Sequence, residues 1–170
     1  MFASVFTALL AIPFFAHTAA AADCTRQYTV KAGDICDSIS AANNVSTYQL
    51  ATVNPGIDTR CSNLQPGEVV CLGHANEDCS TTYVVQPNDS CEIITSKHGI
   101  NSTTLWFNNP QINEDCTNIY VGEVLCTGQE FAAPAPGASI PATTIPPSAT
   151  PAVPKASTSD LPWCDDEDDN

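Results

Sequence analysis

Thiols and carboxylates are the groups with which this chain of 170 residues could do chemistry. It holds nine Cys, 19 Asp and Glu and three His, against 5 Lys and Arg. Thiols without His-rich neighbours point to disulfides in an oxidising compartment rather than to a metal site. Carboxylates cut glycosides only as a pair about 5–10 Å apart across a deep cleft, and no part of the chain is set aside to build one. No Ser–His–Asp arrangement stands out, because only His74 and His98 lie outside the apolar N-terminal segment. The net charge of −14 repels phosphate backbones, which excludes nucleic acid as a partner. Anionic membranes and acidic wall polymers are poor partners for the same reason. The expectation is a protein that is not an enzyme and carries no metal or cofactor.

The spacing of the cysteines says more than their number. Adding 55 to Cys24, Cys36, Cys61 and Cys71 gives Cys79, Cys91, Cys116 and Cys126. The same shift relates Tyr28 to Tyr83, Asp34 to Asp89, Ile39 to Ile94 and Leu50 to Leu105. It also relates Asn54-Pro55 to Asn109-Pro110, Ile57 to Ile112 and Gly67-Glu68-Val69 to Gly122-Glu123-Val124. The chain is therefore a tandem duplication. A unit of about 50 residues buries a marginal core and depends on staples. Two disulfides per unit can add roughly 2–4 kcal/mol each. Four cysteines allow three pairings; the pairing stays open, with bridges expected to remain inside each unit.

These staples must be positioned by short elements. Tyr28 and Val30 alternate with Thr29 as a strand, and Tyr83 and Val85 repeat it. Asp34 with Asp37, and Asp89 with Glu92, read as helix caps of the capping-box kind. Ile35, Ile39 and Ala42 fall on one helical face. Ser46-Thr47-Tyr48-Gln49 caps a second helix carrying Leu50 and Val53, which Asn54-Pro55-Gly56 ends. Glu68 to Leu72 form a closing strand. The order is strand, helix, helix, strand, with antiparallel strands and both helices on one face. Trp106-Phe107 could serve as a stacking platform, but Trp106, at helical spacing from Ile100 and just ahead of Asn-Pro, reads as core.

Residues 1–22 carry no charged side chain and end in Ala19 to Ala22, the pattern of a secretory signal peptide. The units span 24–73 and 79–128, with 74–78 as linker. Residues 129–170 form a Pro/Ala/Ser/Thr-rich tail, extended and disordered, that ends in the acidic run Asp165 to Asp169. Asn44 and Asn101 are N-glycosylation acceptors in the turn between the helices. Asn88-Asp89-Ser90 also matches, and a glycan there would obstruct the adjoining loop. Cys164 has no partner in the repeat; a disulfide-linked dimer, a free thiol and a mixed disulfide all stay open.

Three segments carry a family likeness: Tyr28 to Asp34, Asn54 to Ile57 and Asn63 to Cys71, repeated as Tyr83 to Asp89, Asn109 to Ile112 and Asn118 to Cys126. Each set resembles a LysM domain of the secreted fungal type. The chain as a whole resembles the LysM effectors that fungi release when colonising a host. The resemblance covers 24–128. It implies an α+β fold of two tandem disulfide-stapled βααβ modules that bind chitin and N-acetylglucosamine oligomers. The sugar would lie in a shallow groove between the strand–helix loop and the loop after the second helix. Carried over, the first groove comprises Gly33, Asp34, Ile35, Asn54, Pro55, Gly56 and Ile57. The second comprises Asn88, Asp89, Ser90, Asn109, Pro110, Gln111 and Ile112. Backbone groups would pair with the neutral sugar's amide at about 0.5–1.5 kcal/mol each. Gly33 and Gly56 would permit close approach, and Ile57 and Ile112 would receive the acetyl methyl. Unit two departs at Pro87-Asn88, at Ser90 and at Gln111, so the grooves are expected to differ in affinity. Two grooves on one chain add avidity and leave ligand-induced pairing of chains open. The implied roles are sequestration of chitin fragments from host receptors and shielding of hyphae from chitinases, outside the cell or at its wall. Peptidoglycan binding and a structural wall lectin are the alternatives.

Overall fold

The computed structural model describes residues 24–135 and 144–152. The segment read as a signal peptide, Cys164 and the acidic run lie outside the described residues. The first module runs β1 (Cys24–Thr29), α1 (Cys36–Asn43), α2 (Thr47–Val53) and β2 (Val69–His74). The second runs β3 (Thr82–Val84), α3 (Cys91–His98), α4 (Ser102–Asn108) and β4 (Val124–Cys126). Strands pair antiparallel within each module, with Tyr28 opposite Val70 and Tyr83 opposite Leu125. The two registers differ by the repeat length, as duplication requires.

The disulfides resolve the three pairings that the sequence leaves open. Cys24 joins Cys71 and Cys36 joins Cys61; Cys79 joins Cys126 and Cys91 joins Cys116. The outer bridge ties the two strands. The inner bridge ties the start of the first helix to the segment ahead of the second strand. All four stay within their modules, as expected. Removing the inner bridge of the second module with Cys91→Ser and Cys116→Ser is expected to cost about 2–4 kcal/mol. A denaturant midpoint unchanged under non-reducing conditions would contradict this.

Beneath each two-stranded sheet lies one apolar cluster. In the first module Ile39 of α1 and Leu50 of α2 meet Val70 and Leu72 of β2, with Val30 and Val45 beside them. In the second Ile94, Leu105, Val85 and Leu125 do the same. The helix starts correct the sequence reading. Ser46 caps α2 through Gln49 N as expected, but Asp34 and Asp89 cap nothing. The N-cap of α1 is Ile35, whose N–H donates to Ser38 Oγ at 3.0 Å. That of α3 is Ser90, whose Oγ accepts from Ile93 N. Ile35 and Ala42 are exposed, so only Ile39 of that proposed face enters the core.

The connector locks the modules together. Asp78 accepts from Arg26 Nε at 2.6 Å and Nη2 at 2.5 Å, and from Gln49 Nε2 at 2.8 Å. Gln49, fully buried, also donates to Leu72 O and accepts from Cys79 N. A Cβ at Gly73 would collide with the Asp78 carboxylate. From this anchor, α1 and α2 of the first module pack on β3 and β4 of the second. Val124 N donates to Thr47 Oγ1 at 3.0 Å, Thr47 donates to Asp37, and Tyr120 Oη donates to Asp37 at 3.1 Å. The sheet of the second module is thereby covered on the face that the first leaves open: Val124 is 0 % exposed and its counterpart Val69 is 58 %.

Two stretches of the tail lie against the modules. Asn108 binds Glu130 O and accepts from Ala132 N, and Tyr48 Oη donates to Pro134 O. Residues 150–152 return to the second module, where Ala152 is buried to 1 %. These residues of the expected disordered tail are held by backbone and side-chain hydrogen bonds to the modules.

Candidate functional site

The two loops expected to flank a sugar are held by residues of their own module. In the first, the Asp34 carboxylate accepts from Lys31 N at 2.8 Å and from Tyr28 Oη at 2.9 Å. Those two donors hold the acid below its ordinary range. Asp89 repeats the arrangement with Gln86 N and Tyr83 Oη, both at 2.7 Å. These aspartates shape the strand–helix loop. At its tip Gly33 has φ +90°, a left-handed conformation favouring glycine, while Asn88 stands at +68°.

The second loop hangs from one asparagine. Asn54 Nδ2 donates to Leu50 O and Cys71 O, both at 2.7 Å, and its Oδ1 accepts from Cys71 N at 2.8 Å. Asn109 makes the same three bonds with Leu105 O, Cys126 O and Cys126 N, each at 2.8 Å. Both side chains are committed to joining a helix end to a strand, so neither is free to bind a ligand. A second asparagine closes the loop from its far side. Asn63 donates to Gly56 O and accepts from Asp58 N; Asn118 does likewise with Gln111 O and Asn113 N. Asn63 and Asn118 lay within the recurring segments, and their shared offset was the signal for this role.

The inner disulfide joins the two loops. Cys36 follows Ile35 directly, and Cys61 ends the turn after Ile57. In the first module the intervening surface is open. Gly33, Ile35, Pro55 and Gly56 are exposed, and a Cβ at either glycine meets nothing within 4 Å. Asp34 and Ile57 are half-buried, Ile57 packing against the core. The second module is different. Asp89, Asn109, Gln111 and Ile112 are buried, with only Asn88 exposed and Ser90 and Pro110 between. Among the described residues there is no cluster of metal ligands.

The architecture defines a class: a duplicated, disulfide-stapled βααβ protein whose loops are braced by asparagines. The chain belongs to the LysM domain family, whose model matches residues 28–73 and 83–128. It is 37% identical over 105 residues to the "Non-secreted LysM effector LCP1" of Gibberella moniliformis, covering 61% of this chain and 14% of that one. It is 28% identical to the "Secreted LysM effector Blys8" of Beauveria bassiana, covering 62% and 34%. It is 29% identical to the "Secreted LysM effector LysM1" of Trichophyton rubrum, covering 64% and 52%. The chain thus spans between a seventh and a half of these relatives. Among solved structures, the spore cortex-lytic enzyme SleL of Bacillus megaterium matches at 19% identity with a TM-score of 0.31, covering 65% of this chain and 23% of that one.

Proposed function

We propose that this chain is a secreted, non-enzymatic lectin for chitin and N-acetylglucosamine oligomers, acting as a fungal effector. The observation that carries the reading is the open pair of loops in the first module, braced by Asp34 and Asn54 and joined through Cys36–Cys61. A neutral amino-sugar needs backbone donors and acceptors at close range, and exposed Gly33 and Gly56 offer them. The relatives' names, secreted and non-secreted, supply the effector role. Sequestration of chitin fragments from host receptors follows from binding soluble oligomers, and shielding of hyphae from chitinases follows from binding the polymer. Chitin is favoured over peptidoglycan because a chain of net charge −14 is repelled by the carboxylates of peptide-bearing polymers.

Calorimetric titration with N-acetylglucosamine oligomers of increasing length tests this. Affinity is expected to rise with length, with little loss between low and high salt because the ligand is uncharged. Chitin beads should retain the protein and release no soluble sugar. Retention on cellulose alone, or soluble products, would refute the reading.

A further inference from the structure

The chain's own tail touches two residues assigned to the second groove, Asn88 and Ile112. Residues Thr150 to Ala152 add a short antiparallel strand beside Ile119 to Val121. Val121 N donates to Thr150 O at 2.8 Å and Ala152 N donates to Ile119 O at 3.0 Å. Tyr120 and Pro151 face each other between these bonds. In such a pair the central residues point their own N–H groups away from the partner, so a proline costs the ladder nothing. A third bond reaches the strand–helix loop, where Asn88 N donates to Ala152 O at 2.8 Å. The Ala152 side chain is 1 % exposed and packs on the cluster that contains Ile112.

The chemistry of this contact matches the expected ligand. Ala152 presents a methyl, an N–H donor and a C=O acceptor, the same three groups as the acetamide of N-acetylglucosamine. It engages Asn88 and lies in the cluster of Ile112, two residues assigned to the second sugar groove. The first module cannot take such a strand in the same way. Val121, the donor to Thr150, corresponds to Pro66, which has no N–H. Gly33 N, the counterpart of Asn88 N, has no hydrogen-bond partner among the described residues. Ile112, buried to 7 %, lies in the cluster that Ala152 joins, while its counterpart Ile57 is half-buried.

We infer that Thr150-Pro151-Ala152 is a tethered occupant of the second groove, so that sugar fills the first module freely and enters the second only by displacing the tail. The inference rests on the sugar-binding reading of the groove. A segment held on the same chain competes at an effective concentration that can reach the millimolar range. It therefore raises the apparent Kd by the reciprocal of the fraction of molecules whose groove is free of the tail.

Two variants of the full chain test it. Ala152→Asp places a charge in the apolar pocket and should expel the tail. Val121→Pro removes one tail donor and reproduces the residue that the first module already carries at that position. Calorimetry with a chitin oligomer too short to bridge the modules should show one site in the parent protein. In both variants a second site should appear, or tighten by about tenfold. Hydrogen exchange without sugar should show the Asn88 amide losing protection in both variants. Two equal sites in the parent, or unchanged stoichiometry and unchanged Asn88 protection in the variants, would overturn the inference. If no protein binds sugar, the reading of the groove fails and exchange alone decides. Lost Asn88 protection then sustains the docked tail, and retained protection overturns it.

Discussion

Asn109→Ala is expected to unfold the second module at temperatures where the parent is native. The side chain is fully buried and serves two carbonyls and one amide. Alanine leaves all three without a partner in a site that water does not reach. At about 1–3 kcal/mol for each orphaned group, the loss is roughly 3–9 kcal/mol. A module of this size holds only a few kcal/mol in total. Asn54→Ala removes the same three bonds, but Asn54 is half-buried and water can replace part of what is lost. The expected ranking is therefore Asn109→Ala well below Asn54→Ala, with a shift in melting temperature of at least about 12 °C for the former. Equal shifts of a few degrees would show that the asparagine is not the brace described. The ranking also governs how binding data are read: loss of sugar binding in either variant reports on the groove only where the melt is unchanged.

That brace marks where the sequence was legible and where it was not. The shift of 55 residues revealed the modules, the strand pairing and the confinement of the disulfides, because the duplication copied contacts internal to each unit. It could not distinguish a residue that binds from one that holds. Asn54 and Asn109 recur because a helix end must be joined to a strand. Asp34 and Asp89 looked like caps because an acid followed three residues later by another acid resembles a capping box. The tyrosines six residues upstream, Tyr28 and Tyr83, were the better signal. Contacts that break the repeat were invisible. Tyr120, which reaches Asp37 across the interface, stands where the first module has Gln65, and Val121 stands where it has Pro66. No periodicity reports a contact made once, and composition alone did not anticipate that a Pro/Ala segment would dock.

The interface between modules should make the protein more stable in mild acid than at neutral pH. Glu123 is 4 % exposed, whereas its counterpart Glu68 lies in the open, because α1 and α2 of the first module cover only the second module's sheet. Burial, with a smaller contribution from the like charge of Asp37, pushes the Glu123 carboxyl up from its ordinary 4.5 to about 7. Gln111 Nε2 at 3.1 Å and Tyr120 N at 3.3 Å stabilise the charged form but do not offset its desolvation. Desolvation raises Asp37 as well, against its bonds from Thr47 and Tyr120. Between pH about 4.5 and 7 the folded chain therefore holds a proton at Glu123 that the unfolded chain has released. Stability falls as pH rises through that window, by about 3 kcal/mol in all. Below it the trend reverses, because Asp34, Asp58 and Asp78 are held below their ordinary range and lose their bonds on protonation. Glu123→Gln keeps the shape of the protonated acid. Urea unfolding of this variant should show stability at pH 7.5 raised toward that at pH 4.5, with only the slope due to Asp37 remaining. A parent protein whose stability is flat or rises between pH 4.5 and 7 would mean that Glu123 is solvated in solution and that the modules do not pack as described.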